Sequence, residues 1–154
     1  MIVKERDKLL LIRYSDLKGI DCMKEHIEVL NEKGYVWFGK IGSVPTKRFI
    51  KILEDNETKY LILNSKNETY FCNFDKVEYE LPRNLDGVPT YYKDNFLDKG
   101  VKFSIFFKLL SIKKIDKELL NNLVVSSSAN NLNNALKFSM SAHFLIRAIN
   151  EFEV

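Results

Sequence analysis

The chain has 154 residues, 45% hydrophobic and 29% charged, which are values of one globular domain that can bury a core without staples and not of a disordered chain. Its net charge of +3 permits a nucleic-acid partner without demanding one, since a dedicated electrostatic binder is usually more basic. The N-terminus MIVKERDK places charges where a signal peptide needs an apolar stretch, and no apolar run approaches the roughly 20 residues of a membrane span; a cytoplasmic protein without a membrane partner is expected.

In chain order, KLLLIRY at 8–14 has the length of a buried strand. Asp21 can cap a helix in which Met23, Ile27 and Leu30 recur at helical spacing, and Gly34 stands where a helix end takes a left-handed residue. YVWFGKI at 35–41 follows as a strand, by its β-branched and aromatic content. Ser43 is then the expected N-cap of a short helix through VPTKRFIKILED, with Val44, Phe49, Ile50 and Leu53 on its inner face and Pro45 in its first turn. KYLILN and TYFCNFDKVEYEL form a β-meander across the polar turn SKNE; in the second arm Phe71 and Asn73 share one face, Cys72 and Phe74 the other. Residues 82–100 contain two Pro, two Gly and the pair Tyr91-Tyr92, and read as a long loop of the kind that often serves as a lid or binding loop.

KFSIFFKLLSIKKI returns as a long strand, and Asp116 caps a short helix running to Leu123. A helical turn or two is expected around Leu132 to Leu136, whereas SAHFLIRAI fits either a closing strand or a helix. Cys22 and Cys72 lie far apart in a Lys-rich chain, which favours two reduced thiols over a disulfide. The mixed order of strands and short helices predicts a single α+β domain over 1–154, with a curved mixed β-sheet or small partial barrel and short helices packed at its rim.

Much familiar chemistry is missing from the pattern. The two His, His26 and His143, lie near neither a Cys nor each other at ligand spacing, so no metal site is expected. No GxGxxG, Walker A or GxSxG occurs, Ser126 to Ser128 have no recognisable base partner, and Glu54, Asp55 and Glu57 sit at a polar helix end. No catalytic residue and no cofactor are therefore assigned, and a binding module is favoured over an enzyme.

The stretch GYVWFGKIGSVPTKR does suggest binding chemistry. Side chains alternate along the strand, so Tyr35, Trp37 and Gly39 share one face and Val36, Phe38 and Lys40 the other. Trp37 or Phe38 either fills the core or forms a stacking wall, with Gly39 leaving room for a flat ring; base-on-aromatic stacking contributes about 1–3 kcal/mol. Ser43 and Thr46 at a helix start, with Lys40, Lys47 and Arg48 around them, can seat a phosphate or form an ordinary capped helix with a basic face. Tyr91 and Tyr92 would supply the opposite wall or pin the loop to the core. Lys108, Lys113, Lys114 and Lys117 extend a basic surface diluted by acids at 116 and 118. If SAHFLIRAI is a strand, Ser139, Ser141 and His143 project together toward a ligand edge.

The order of these elements, with the aromatic segment WFGKIG and the closing Ser139 and Ser141, resembles the PUA-like superfamily, which includes the EVE, YTH and ASCH domains. In particular it is similar to EVE-like domains attached to modification-dependent restriction systems and other prokaryotic defence proteins. The resemblance implies a small barrel-like sheet that accepts a flipped, modified base in an aromatic cage. It also implies a non-catalytic specificity module, here as the N-terminal domain of a larger protein, beside an effector nuclease or GTPase. Trp37, Phe38, Gly39, Tyr91, Tyr92, Ser139 and Ser141 would then hold the base and Lys40, Ser43, Thr46, Lys47 and Arg48 the phosphate, with DNA ahead of RNA as the partner. The alternatives are a small ASCH-like enzyme acting on nucleic acid or a modified nucleoside, for which Lys40 would need a carboxylate partner, and a small-ligand or protein-interaction sensor.

Overall fold

The computed structural model describes residues 1–154. Seven strands form one mixed sheet: β2 (Lys8–Arg13), β3 (Val36–Lys40), β4 (Tyr60–Asn64), β5 (Thr69–Glu78), β6 (Ile105–Ile115), β7 (Leu123–Val125) and β8 (His143–Ala148), in the order β3-β6-β5-β4-β2-β8-β7. Only β2 and β4 run parallel; every other pair is antiparallel. The terminal strands β1 (Ile2–Val3) and β9 (Phe152–Glu153) pair with each other and bury Val3 and Phe152 against the main sheet. This small closure of the two chain ends has no counterpart in the sequence reading, because two-residue strands carry no periodicity.

The sheet is apolar on both faces, and strand alternation sorts the residues between them. Leu10, Ile12, Leu61, Leu63, Cys72 and Phe74 pack on one face with Met23 of α1 (Cys22–Lys33) and Phe49, Ile50 and Leu53 of α2 (Lys47–Asp55). Leu9, Leu11, Ile62, Phe71, Phe144 and Ile146 pack on the other, with Leu132 of α4 (Leu132–Phe138). The Phe71/Cys72 alternation of the second meander arm is therefore real, although irregularities near Asn73 to Lys76 interrupt its register with β6. Such bulges bend and coil a sheet.

The curl is what makes a site. Along the sheet, β2 and β3 are four strand spacings apart, about 19 Å if the sheet were flat at about 4.8 Å per step. Yet Ile12 of β2 and Phe38 and Lys40 of β3 line one cavity of about 230 Å³. The sheet therefore rolls into a partial barrel that does not close, leaving a seam between β2 and β3. It is an α+β fold with short helices at its rim.

Local signals explain the helix ends, with one correction. Asp21 caps α1 by accepting from Lys24 N at 3.1 Å, and Gly34 ends it at φ 82°. The N-cap of α2 is Thr46, not Ser43: the Thr46 hydroxyl accepts from Phe49 N at 3.3 Å, and Pro45 lies before the helix instead of in its first turn. Thr46 wins because the helix cannot begin until the chain has passed Pro45, which fixes extended geometry on the residue before it. Residues 82–100 are not a bare loop either. They hold a 3-10 turn at Arg83–Leu85, the helix α3 (Tyr91–Asn95) and a 3-10 turn at Leu97–Lys99. After β6, Asp116 caps a 3-10 segment at Lys117–Asn122. SAHFLIRAI resolves into a loop followed by β8, because the Leu9, Leu10, Leu11 and Ile12 backbone needs an antiparallel partner on its free side.

Candidate functional site

The cavity at the seam is walled by the ends of β2 and β3, the start of α1, α3, and the residues that follow α3. Phe38, Tyr91, Tyr92, Phe96 and Phe103 supply rings, Tyr14 and Ser15 hydroxyls, and Arg13 and Lys40 positive charge; no Asp or Glu is in the lining. Tyr92 and Phe103 stack at 4.6 Å with an interplanar angle of 16°, and Tyr91 meets Tyr92 edge-on at 4.9 Å. At about 230 Å³ the cavity is below the roughly 300–1,000 Å³ of pockets for drug-sized ligands, which suits one flat ring system.

A buried hydrogen-bond chain holds this wall in place. His26 is fully buried, and its Nδ1 lies 2.7 Å from the Cys22 carbonyl, which can only accept, so Nδ1 carries the proton. Nε2 then accepts from the Tyr92 hydroxyl at 2.8 Å, and that hydroxyl oxygen accepts from the Gly39 N–H at 2.9 Å. Burial pushes the His26 pKa down to about 4, so the ring is neutral and the chain keeps this direction at neutral pH. The chain ties α1 to α3 and α3 to the outer edge of β3. A second bond on the same edge, Trp37 N–H to Gly87 carbonyl at 2.8 Å, completes its cover. An edge strand that would otherwise invite pairing is thus sealed by residues 82–100.

Gly39 is required where it stands. A Cβ there would lie 2.6 Å from Phe103 and 2.9 Å from Phe106, so the flat ring that exploits the missing side chain is the protein's own Phe103. Gly87 is a second such position, at φ 74° with the Tyr35 ring 2.4 Å from where a Cβ would be.

The charged groups are tethered. Arg13 donates to the Ser139 carbonyl at 2.7 Å and the Leu136 carbonyl at 2.5 Å, gripping the end of α4, and lies over the Phe144 ring. Lys40 is 5% exposed and donates to the carbonyls of Ile41 and Ser43; burial lowers its pKa. His143 on β8 has a pKa lowered by burial and by the Lys40 charge.

Of the residues singled out in the sequence, Phe38, Gly39, Lys40, Tyr91 and Tyr92 come together in this cavity. Trp37 does not. It packs behind β3 with Cys22, Val88, Tyr92 and Phe106, because alternation puts it on the face opposite Phe38. Ser43, Thr46, Lys47 and Arg48 are outside the lining: all four are exposed, and Lys47 Nζ lies over the Tyr79 ring at 5.4 Å. Ser139 and Ser141 precede β8 in a loop, bonded to each other at 3.1 Å, and line a different groove. Tyr14, Ser15, Phe96 and Phe103 went unnoticed in the sequence. A ring at 103 two residues before a strand has no local signal; only the contact with Gly39 reveals its place.

No helix is long and apolar enough to cross a membrane. No curated protein and no solved structure gives a significant match to the chain. A family model described as Pua-like matches residues 10–152, from β2 through β9 and so across both walls of the seam cavity. The chain therefore belongs to the PUA-like family, whose domains commonly bind nucleic acids.

Proposed function

We propose that the seam cavity receives a single flipped base, and that the domain reads a modified, methylated base in DNA for a restriction or defence system, with cleavage or GTP hydrolysis left to a partner domain or subunit. One observation carries this reading: a cavity of one-ring-system size, walled by aromatic side chains and two cations and free of carboxylates, lies at the open seam of the barrel. Aromatic walls stack on any base; a methyl group adds apolar contact worth about 1–3 kcal/mol of discrimination. Arg13 and Lys40 favour a ligand with negative charge nearby, as a nucleotide has.

Fluorescence-polarisation titrations of DNA and RNA oligonucleotides with and without 5-methylcytosine or N6-methyladenine test it. Tighter binding of one methylated DNA is expected, and loss of that preference in Tyr91→Ala. Equal weak binding of every oligonucleotide would overturn the reading.

A second reading, a small ASCH-like enzyme acting on a modified nucleoside, is favoured by Lys40. A buried lysine at the cavity wall, with a pKa lowered by burial, is the kind of group that acts as a base or nucleophile, although the lining supplies no carboxylate to partner it. Incubation with modified nucleosides and chromatography of the products separates the two, since a reader returns its ligand unchanged.

A further inference from the structure

A second, larger groove adjoins the seam cavity, with a volume of about 990 Å³. None of its fourteen lining residues is Asp, Glu, Lys or Arg; the polar groups are amides, hydroxyls and one imidazole, including Ser126, Asn130, Asn134, Ser141 and His143. Phe138 lies at its side with 85% of its surface exposed, an unusual position for a ring with nothing to cover it. Ser126 Oγ and His143 Nδ1 are buried without a hydrogen-bond partner, and unpartnered buried polar groups of this kind call for an explanation.

The two cavities share a wall. Residues 139–143 run between them: Ala142 lines the seam cavity, and Ser139, Ser141 and His143 line the groove. Arg13 fixes this wall, since it lines the seam cavity and also holds the Ser139 and Leu136 carbonyls. An uncharged wall of amides and hydroxyls suits neutral edges that both donate and accept, and an exposed ring suits a flat face. Phosphate and carboxylate ligands find no countercharge there.

We propose that this groove is a second nucleobase site, which takes the base adjacent to the one held in the seam cavity and makes recognition depend on sequence context. The inference rests on the base-binding reading of the seam cavity. Phe138 stacks on the neighbouring base, and Asn130 and Asn134 read its edge. Because no charge is involved, the contribution of the groove does not change with ionic strength, unlike that of phosphate contacts.

Two measurements on the full chain test the proposal. The first is chemical-shift mapping of isotope-labelled protein titrated with a single-stranded trinucleotide that has a methylated central base, and separately with the free methylated nucleoside. The Gly39 backbone amide reports the seam cavity, and the side-chain amides of Asn130 and Asn134 report the groove. Movement of both sets with the trinucleotide, and of Gly39 alone with the nucleoside, supports the proposal. Movement of Gly39 alone in both titrations overturns it and leaves the seam reading standing. Movement of the groove amides alone overturns the seam reading and the adjacency with it, and movement of neither overturns both. The second measurement is affinity of Phe138→Ala and Asn134→Ala, two exposed positions whose truncation leaves the core intact. A loss on the order of tenfold for the trinucleotide in Phe138→Ala is expected, with the nucleoside affinity and the salt slope unchanged. Wild-type trinucleotide affinity in both variants would overturn the proposal.

Discussion

Tyr92 concentrates more of the site's structure than any other residue. Its hydroxyl links His26 to Gly39, and its ring stacks on Phe103. Replacing it with Phe keeps the ring and strands a buried imidazole nitrogen and a backbone N–H, so a loss of roughly 2–6 kcal/mol is expected from two unsatisfied groups at about 1–3 kcal/mol each. Urea denaturation checks this, with Tyr91→Phe as the milder comparison. Gly39→Ala is expected to destabilise by about 1–3 kcal/mol through overpacking against Phe103, and to weaken ligand binding by displacing a wall of the cavity. His26 adds a pH dependence. Its folded pKa of about 4 lies below the ordinary value of 6.5, so between these pH values the unfolded chain binds a proton that the folded chain refuses. Stability from this group is complete above 6.5 and is lost as pH falls toward 4, by roughly 3 kcal/mol at about 1.4 kcal/mol per unit. Phe38, Tyr91 and Tyr92 pack around the ring, and none carries a charge that opposes the trend. Denaturation midpoints at pH 7 and pH 5 should differ accordingly, and a His26→Asn variant should show a lower but flatter profile.

At the scale of elements, β3 divides its side chains between two tasks. Phe38 and Lys40 face the seam, and Trp37 faces the cover made by residues 82–100. As the only Trp in the chain, Trp37 gives a direct optical test. Its emission should be that of a buried indole and should not shift when oligonucleotide saturates the seam cavity; a large ligand-dependent shift would place the indole in contact with the base. The start of α2 is a separate matter. Lys47 and Arg48 are exposed there and free of ion pairs, so their double replacement by Ala is expected to lower the dependence of log affinity on log salt if each contacts phosphate, by about 0.7–0.9 per contact. An unchanged slope assigns them to an ordinary helix surface. The α1 caps, the meander and the Asp116 cap were legible in the sequence because each depends on a few neighbouring residues. Thr46 in place of Ser43 was less so, since both are good caps and only the path of the chain through Pro45 selects between them.

For the whole molecule, the decisive feature is a sheet that curls without closing. Its terminal pair β1 and β9 locks both chain ends under the second apolar face, so Phe152→Ala should cost about 3–5 kcal/mol despite its position two residues from the end, as measured by thermal or chemical denaturation. Sequence alone determined the α+β class and most strand and helix positions, and it offered Phe38, Tyr91 and Tyr92 among its candidates, because alternation and capping are local properties. Tertiary structure alone decided that β2 and β3 meet across an open seam, that Phe103 occupies the space Gly39 leaves, that Trp37 lies behind the strand, and that Ser139 and Ser141 belong to a neighbouring groove. The first depends on the curvature accumulated over five strands and the others on contacts between segments far apart in the chain, which no window of sequence contains.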